Sequence, residues 1–212
     1  MNDNQPTKSV KVIVADPTAI GLLGLAIVTL VASSEKLGIT QDVSLVLPWA
    51  LFLGSFAQLF AANADSKLGN TFGATAFGAY GLFWLGIAMT WLIQAGVMGE
   101  ALQESADIKE LGIAFVGYLI FTIFMTYGAA SIHKILFFTF LMIDFLFIGL
   151  AINTLFGSEF GHWLAAFAEL CISLLAFYGC AAAVLNAHFN KVVLPVCRAP
   201  NKIIALFLYR TF

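Results

Sequence analysis

The amino-acid sequence predicts an all-α integral membrane protein, six transmembrane helices in one membrane domain. Three observations carry that prediction. Hydrophobic residues make up 61% of the 212 and charged ones 10%, with mean hydropathy +0.95, too few polar groups to cover a soluble domain. Six apolar segments, roughly 17–34, 43–64, 72–98, 111–131, 135–156 and 162–186, reach the ~17–25 residues that cross a hydrocarbon core as a helix. None alternates polar and apolar residues with a period of two, as barrel strands would.

The domain is read as residues 16–190, between an N-terminal tail (1–15) and a C-terminal tail (191–212). Lys8, Lys11, Lys67, Lys134, Lys191, Arg198, Lys202 and Arg210 fall on the side of the termini. Only Lys36 and Lys109 fall on the other, which collects Glu35, Asp42, Glu100, Glu104, Asp107, Glu110 and Glu159. The excess of basic residues predicts that both termini are cytoplasmic. The net charge of −2 gives no reason to expect a nucleic-acid partner. The first ~12 residues are polar and lysine-containing with no cleavage site, so the first span reads as a retained helix. In the tail, the apolar run between Lys202 and Arg210 suits an interfacial anchor or a contact with a neighbouring subunit.

Taken in order, the first span opens at Asp16-Pro17, an N-cap followed by a proline in the first turn. The second carries Gly54, Ala57, Gln58, Ala61 and Ala62, then the turn Asp65-Ser66-Lys67-Leu68-Gly69. The third opens at Asn70-Thr71-Phe72-Gly73, and its glycines at 73, 78, 81 and 86 suit close helix packing. A helix start buried at a pore can coordinate an anion, which makes Asn70 and Thr71 candidates. Tyr80 lies about three turns in, near the membrane centre. Gln58, Gln94 and Asn153 are expected to bond across helices.

Asp144 lies about ten residues into the fifth span and Glu169 about seven into the sixth. A carboxylate in hydrocarbon must face protein, water or a partner, or be neutral. With no basic residue expected within the spans to pair with them, three readings stand. The two acids share a proton as structural glue, or they load and release one coupled to solute movement, or they face the lumen without a coupling role. Asp16 is a third candidate proton carrier. Cys171, Cys180 and Cys197 form neither a disulfide framework nor a CxxC site. The scattered histidines make no metal site, and His133 and His188 read as surface groups. Without a P-loop or a nucleophile–base pair, no enzyme, metal or cofactor is expected.

The run Gly54–Leu85, with Gly69-Asn70-Thr71-Phe72-Gly73, Thr75-Ala76-Phe77, Tyr80 and Phe83-Trp84, closely resembles the motif of the acetate uptake transporters of bacteria and yeast. Pro17, Gly21 and Leu22 match that family's first-helix motif, and Ala176, Tyr178, Leu185-Asn186, Phe189 and Val193-Leu194-Pro195 match near the end. The resemblance covers roughly residues 16–195. It implies a homohexamer in the plasma (inner) membrane with one pore per protomer, carrying acetate, similar small monocarboxylates and succinate with a proton. Leu25, Tyr80 and Ile143 would narrow the path, and Pro17, Gly21, Gln58, Asn70 and Thr71 would meet the substrate. Ala176 would face the path and bear on how bulky a solute fits.

Two departures bear on that expectation. The family usually has phenylalanine where Leu25 stands, so the constriction here is expected to be wider or softer. It has asparagine where Asp16 stands. An ionised Asp16 would repel a carboxylate from the helix start. Asp16 is then protonated when substrate arrives, or it points away as a plain cap, or the solute is different. A channel for a neutral amide such as urea is the first rival reading, and a membrane subunit without a pore the second.

Overall fold

The structure is a computed structural model that describes residues 15–200. Lys8, Lys11, Lys202 and Arg210, with the tail segment 202–210, lie outside the described residues. Among the described residues six helices are long and apolar enough to cross a membrane: α1 (Thr18–Lys36), α2 (Leu47–Leu68), α3 (Thr71–Gln94), α4 (Ile108–Ala129), α5 (Lys134–Phe156) and α6 (Glu159–Phe189). Among the described residues there is no strand, only an isolated backbone bridge between His133 and Arg198. A short helix, Glu100–Ser105, lies between α3 and α4. At 1.5 Å per residue α6 is about 46 Å long, so it outruns a hydrocarbon core of about 30 Å.

Local chemistry starts and stops these helices. Gly69 closes α2 in the left-handed conformation, φ 72°, where a side chain would be strained. Asn70 caps α3 by accepting the Gly73 N–H at 3.2 Å. Asp107 and Ser158 cap α4 and α6 in the same way. The middle of α2, Ala50–Ala57, is a π-helix, a widened turn that often marks a functional segment.

Packing runs around the bundle: α6 lies against α1 and α5, α5 also against α4, and α2 against α3 and α1. Small residues let these backbones approach. A Cβ at Gly149 on α5 would fall 2.6 Å from the Ala165 nitrogen on α6. Ser173 on α6 donates to the Ala26 carbonyl of α1 at 2.8 Å. An aromatic cluster of Tyr80, Phe83, Phe115, Tyr118, Phe140 and Phe147 fills the centre between α3, α4 and α5. The outer surface is apolar, with Phe52, Phe60, Ile113, Ile120, Phe167 and Leu174 exposed. That inversion is what a hydrocarbon solvent requires.

The C-terminal part of the described chain folds back on α6. The Asn186 side chain accepts the N–H groups of Val193 and Leu194 at 2.7 and 3.0 Å and donates to the Leu194 carbonyl at 2.9 Å. Tyr178 donates to the Pro195 carbonyl at 2.8 Å.

Candidate permeation path

Two cavities enter the bundle from opposite ends. The first, about 130 Å³, lies at the end where the described chain begins and finishes. Its walls include Leu25 of α1, Gln58 and Asp65 of α2, Tyr80 of α3, and Phe140 and Ile143 of α5. The second, about 290 Å³, lies at the other end, among Lys36, Trp84, Trp91, Phe115, Leu146 and Glu169. On α3 the lining passes from Tyr80 to Phe83 and Trp84, and on α5 from Ile143 to Leu146. About one helical turn, ~5.4 Å, therefore separates the cavities. Across that turn Tyr80, Phe83, Trp84, Ile143, Leu146 and Phe147 are buried, Phe147 at 1% exposure.

Tyr80 contributes its ring to this barrier and not a free hydroxyl. Its oxygen lies 2.9 Å from Oγ1 of Thr122, which itself donates to the Tyr118 carbonyl at 2.8 Å. Thr122 has one proton to give, so Tyr80 is the donor in their bond. The ring packs edge-on against Phe121 and tilted against Phe140. With Leu25 and Ile143 beside it, the constriction offers no hydrogen-bond donor to a passing anion. An unpaired charge there would lose its hydration at high cost.

The first cavity is more polar. Gln58 is fully buried, and its Nε2 donates to the Gly54 carbonyl at 2.7 Å. Asp65 accepts from the Asn70 amide at 2.8 Å through Oδ1. Gln58 Oε1 and Asp65 Oδ2 are buried without a partner among the described residues. His133 caps α5, its Nδ1 accepting the Leu136 N–H at 3.0 Å. That bond leaves the ring proton on Nε2, and burial holds the imidazole below its ordinary pKa, toward the neutral form.

Of the residues singled out by sequence, Leu25, Gln58, Asn70, Tyr80 and Ile143 line the first cavity. Asp16, Pro17, Gly21, Thr71 and Ala176 do not line it. Pro17 is buried and gives its carbonyl to the Gly21 N–H at 3.1 Å. Gly21 lies under the Phe77 ring, which any Cβ would overlap, so it seats a lining residue instead of lining. Thr71 is exposed on a shallow outer surface, because the α3 start turns its other face to the cavity. Ala176 is fully buried in the α6 packing. Asp16 is exposed and accepts the Thr18 N–H at 2.9 Å, so it takes the position of a plain cap.

The two mid-span acids are not paired with each other. Asp144 accepts from Thr126 Oγ1 at 2.7 Å, its Oδ1 is buried without a partner, and it lines neither cavity. Glu169 forms an ion pair with Lys36, Nζ to Oε2 2.9 Å. This corrects the expectation that no basic residue is within reach. Lys36 ends α1, and its four-carbon stem brings the ammonium to the acid from the adjacent helix. His133, expected as a surface group, is half-buried and lines the first cavity.

The model of the GPR1/FUN34/yaaH family matches residues 2–201. The chain belongs to the GPR1/FUN34/yaaH family. One relative is the succinate-acetate/proton symporter SatP of Escherichia coli, 32% identical over 182 residues, 86% of this chain and 95% of the relative. Another is acetate permease A of Emericella nidulans, 27% identical over 200 residues, 88% of this chain and 67% of the relative. Among solved structures, the bacterial acetate channel SatP superposes with a TM-score of 0.79 at 32% identity, covering 87% of this chain and 99% of that one. Six apolar helices in a family of such transporters make this a multi-pass membrane protein.

Within this family framework, several lining residues had no sequence signal of their own. Phe140 is one phenylalanine in an apolar run. Asp65 reads as part of a polar turn until its bond to Asn70 is seen. Lys36 reads as a loop charge at a helix end. A lysine and a buried acid at the same end of two packed helices were the available clue.

Proposed function

We propose that this protein is a membrane channel or transporter for acetate and similar small monocarboxylates, succinate among the further solutes, and that it moves them together with a proton. The observation that carries the reading is the pair of cavities meeting across the apolar constriction of Leu25, Tyr80 and Ile143, in a chain related to acetate and succinate-acetate transporters. A neutral acid crosses such a constriction at far lower cost than its anion. Its methyl end suits the apolar rings, and its O–H suits the partnerless acceptors Gln58 Oε1 and Asp65 Oδ2 in the first cavity. Small size is favoured over bulk, because the barrier is one turn thick and filled by side chains.

The protein would function in the plasma (inner) membrane with both termini in the cytoplasm, as the distribution of basic residues supports. A homohexamer with one path per protomer is part of the proposal. The exposed aromatic and aliphatic faces give ample apolar surface for lipid and for neighbouring copies. The chain moves a solute and, a proton aside, changes none of its bonds.

The test is labelled acetate uptake into proteoliposomes with and without an inward proton gradient, against protein-free liposomes, since acetic acid crosses lipid unaided. Uptake above that control that rises with the gradient is the expected result. No excess uptake under either condition overturns the reading, and urea uptake by the same vesicles would put the neutral-amide channel in its place.

A further inference from the structure

The ion pair Lys36–Glu169 stands where the proposed path opens at the end opposite the termini. The Glu169 side chain is 3% exposed and that of Lys36 18%, so a solute in the cavity meets the ammonium before the carboxylate. Of the three Nζ donors, one serves Glu169 and a second reaches the Ala32 carbonyl weakly at 3.5 Å. A third is left for a ligand. Trp84 and Trp91 supply apolar wall beside it. A charge pair buried to this degree is a poor source of stability compared with packed apolar side chains, which points to a role in the path.

We propose that Lys36 is a carboxylate-binding residue of this cavity and that Glu169 is the proton-bearing group that frees it. The proposal rests on the acetate reading above. With Glu169 ionised, its carboxylate occupies the ammonium, and Glu169 and Glu35 repel an incoming anion. A proton taken up by Glu169 makes a neutral acid and leaves the Lys36 charge unmatched, so the ammonium binds the substrate carboxylate. One proton and one anion have then entered, with no net change of charge. Transfer of that proton from the Glu169 oxygen to the bound carboxylate breaks one O–H bond and forms another. The Lys36–Glu169 pair re-forms, and a neutral acid is left facing the apolar constriction.

Among the described residues the surrounding charges are few. Glu35 on α1 lines the same cavity as Lys36 and Glu169. On α6, His162 places Nε2 2.8 Å from the Lys36 carbonyl and helps hold the end of α1. On α5, Asp144 is engaged by Thr126 and faces neither cavity. On α3 the lining group is the uncharged Gln94, and on α4 it is Leu111 and Phe115.

The experiment is acetate uptake by the full chain in proteoliposomes at several pH values and fixed acetate-anion concentration, with and without an imposed membrane potential. The unmodified protein is expected to show uptake that rises as pH falls and ignores the potential. Glu169→Gln leaves Lys36 permanently available but removes the proton donor, so uptake should fall severalfold and lose its rise at low pH. Lys36→Gln should raise the half-saturating acetate concentration by about tenfold or more, the scale of one charged hydrogen bond. Retention of the original pH profile in Glu169→Gln, or of the original half-saturation in Lys36→Gln, overturns the proposal. Should a single variant fail to fold, the double variant Lys36→Gln with Glu169→Gln replaces the ion pair by an amide pair. In it, loss of the pH dependence supports the proposal and an unaltered profile overturns it. Absence of acetate uptake by the unmodified protein would instead sink the acetate reading itself.

Discussion

Tyr80 donates its hydroxyl proton to Oγ1 of Thr122, 2.9 Å away, and so presents a ring to the constriction between the two cavities. Tyr80→Phe keeps that ring and removes the bond. It should leave the ranking of transported solutes unchanged and cost about 1 kcal/mol of stability, the net worth of one hydrogen bond. Tyr80→Ala removes the ring and should admit bulkier monocarboxylates, raising lactate uptake relative to acetate several-fold. Competition between labelled acetate and lactate in proteoliposomes reads both variants. A changed ranking in Tyr80→Phe would show that the hydroxyl meets the solute.

Asp144 and Glu169 differ in what they face, and that difference separates their expected roles. Asp144 is buried, bonded to Thr126 and lines neither cavity. Asp144→Asn preserves an acceptor for the Thr126 hydroxyl. It should keep the pH dependence of uptake, whereas Glu169→Gln should lose it. Asp144→Leu strands the Thr126 hydroxyl and should lower stability by about 1–3 kcal/mol. Uptake measured between pH 5 and 8, beside thermal unfolding in detergent, tests the pair. A flattened profile in Asp144→Asn would return that acid to the proton path.

Much of this fold is legible in the sequence because lipid imposes few solutions. Six apolar runs of sufficient length leave six helices as the economical answer, and the family motif from Gly54 to Leu85 brings Gln58, Asn70 and Tyr80 to one cavity. Motif membership does not separate lining from support. Gly21 matches the family yet seats Phe77, and Asn186, Val193, Leu194 and Pro195 match it while tying the chain end to α6. Pairings across helices were the least legible feature. Lys36 and Glu169 are 133 positions apart, and only the packing of α1 on α6 brings a lysine at a helix end to an acid within the next helix.

His133 joins the pH response of the fold to the rim of the first cavity. Its Nδ1 caps α5 by accepting the Leu136 N–H, which requires that nitrogen to be unprotonated. Burial holds the imidazole below its ordinary range, so the folded protein takes up this proton less readily than the unfolded chain. The contribution is therefore fully present above the unfolded pKa near 6.5 and is lost as pH falls through the lower folded value. His133→Asn supplies a cap that does not titrate and should reduce the fall in melting temperature between pH 7.5 and pH 5. His133→Ala removes the cap and should cost about 1 kcal/mol at pH 7.5, with little further loss on acidification from this site. Melting of detergent-solubilised protein across that range is the measurement. If both variants lose as much stability on acidification as the unmodified protein, the acid sensitivity belongs to another group.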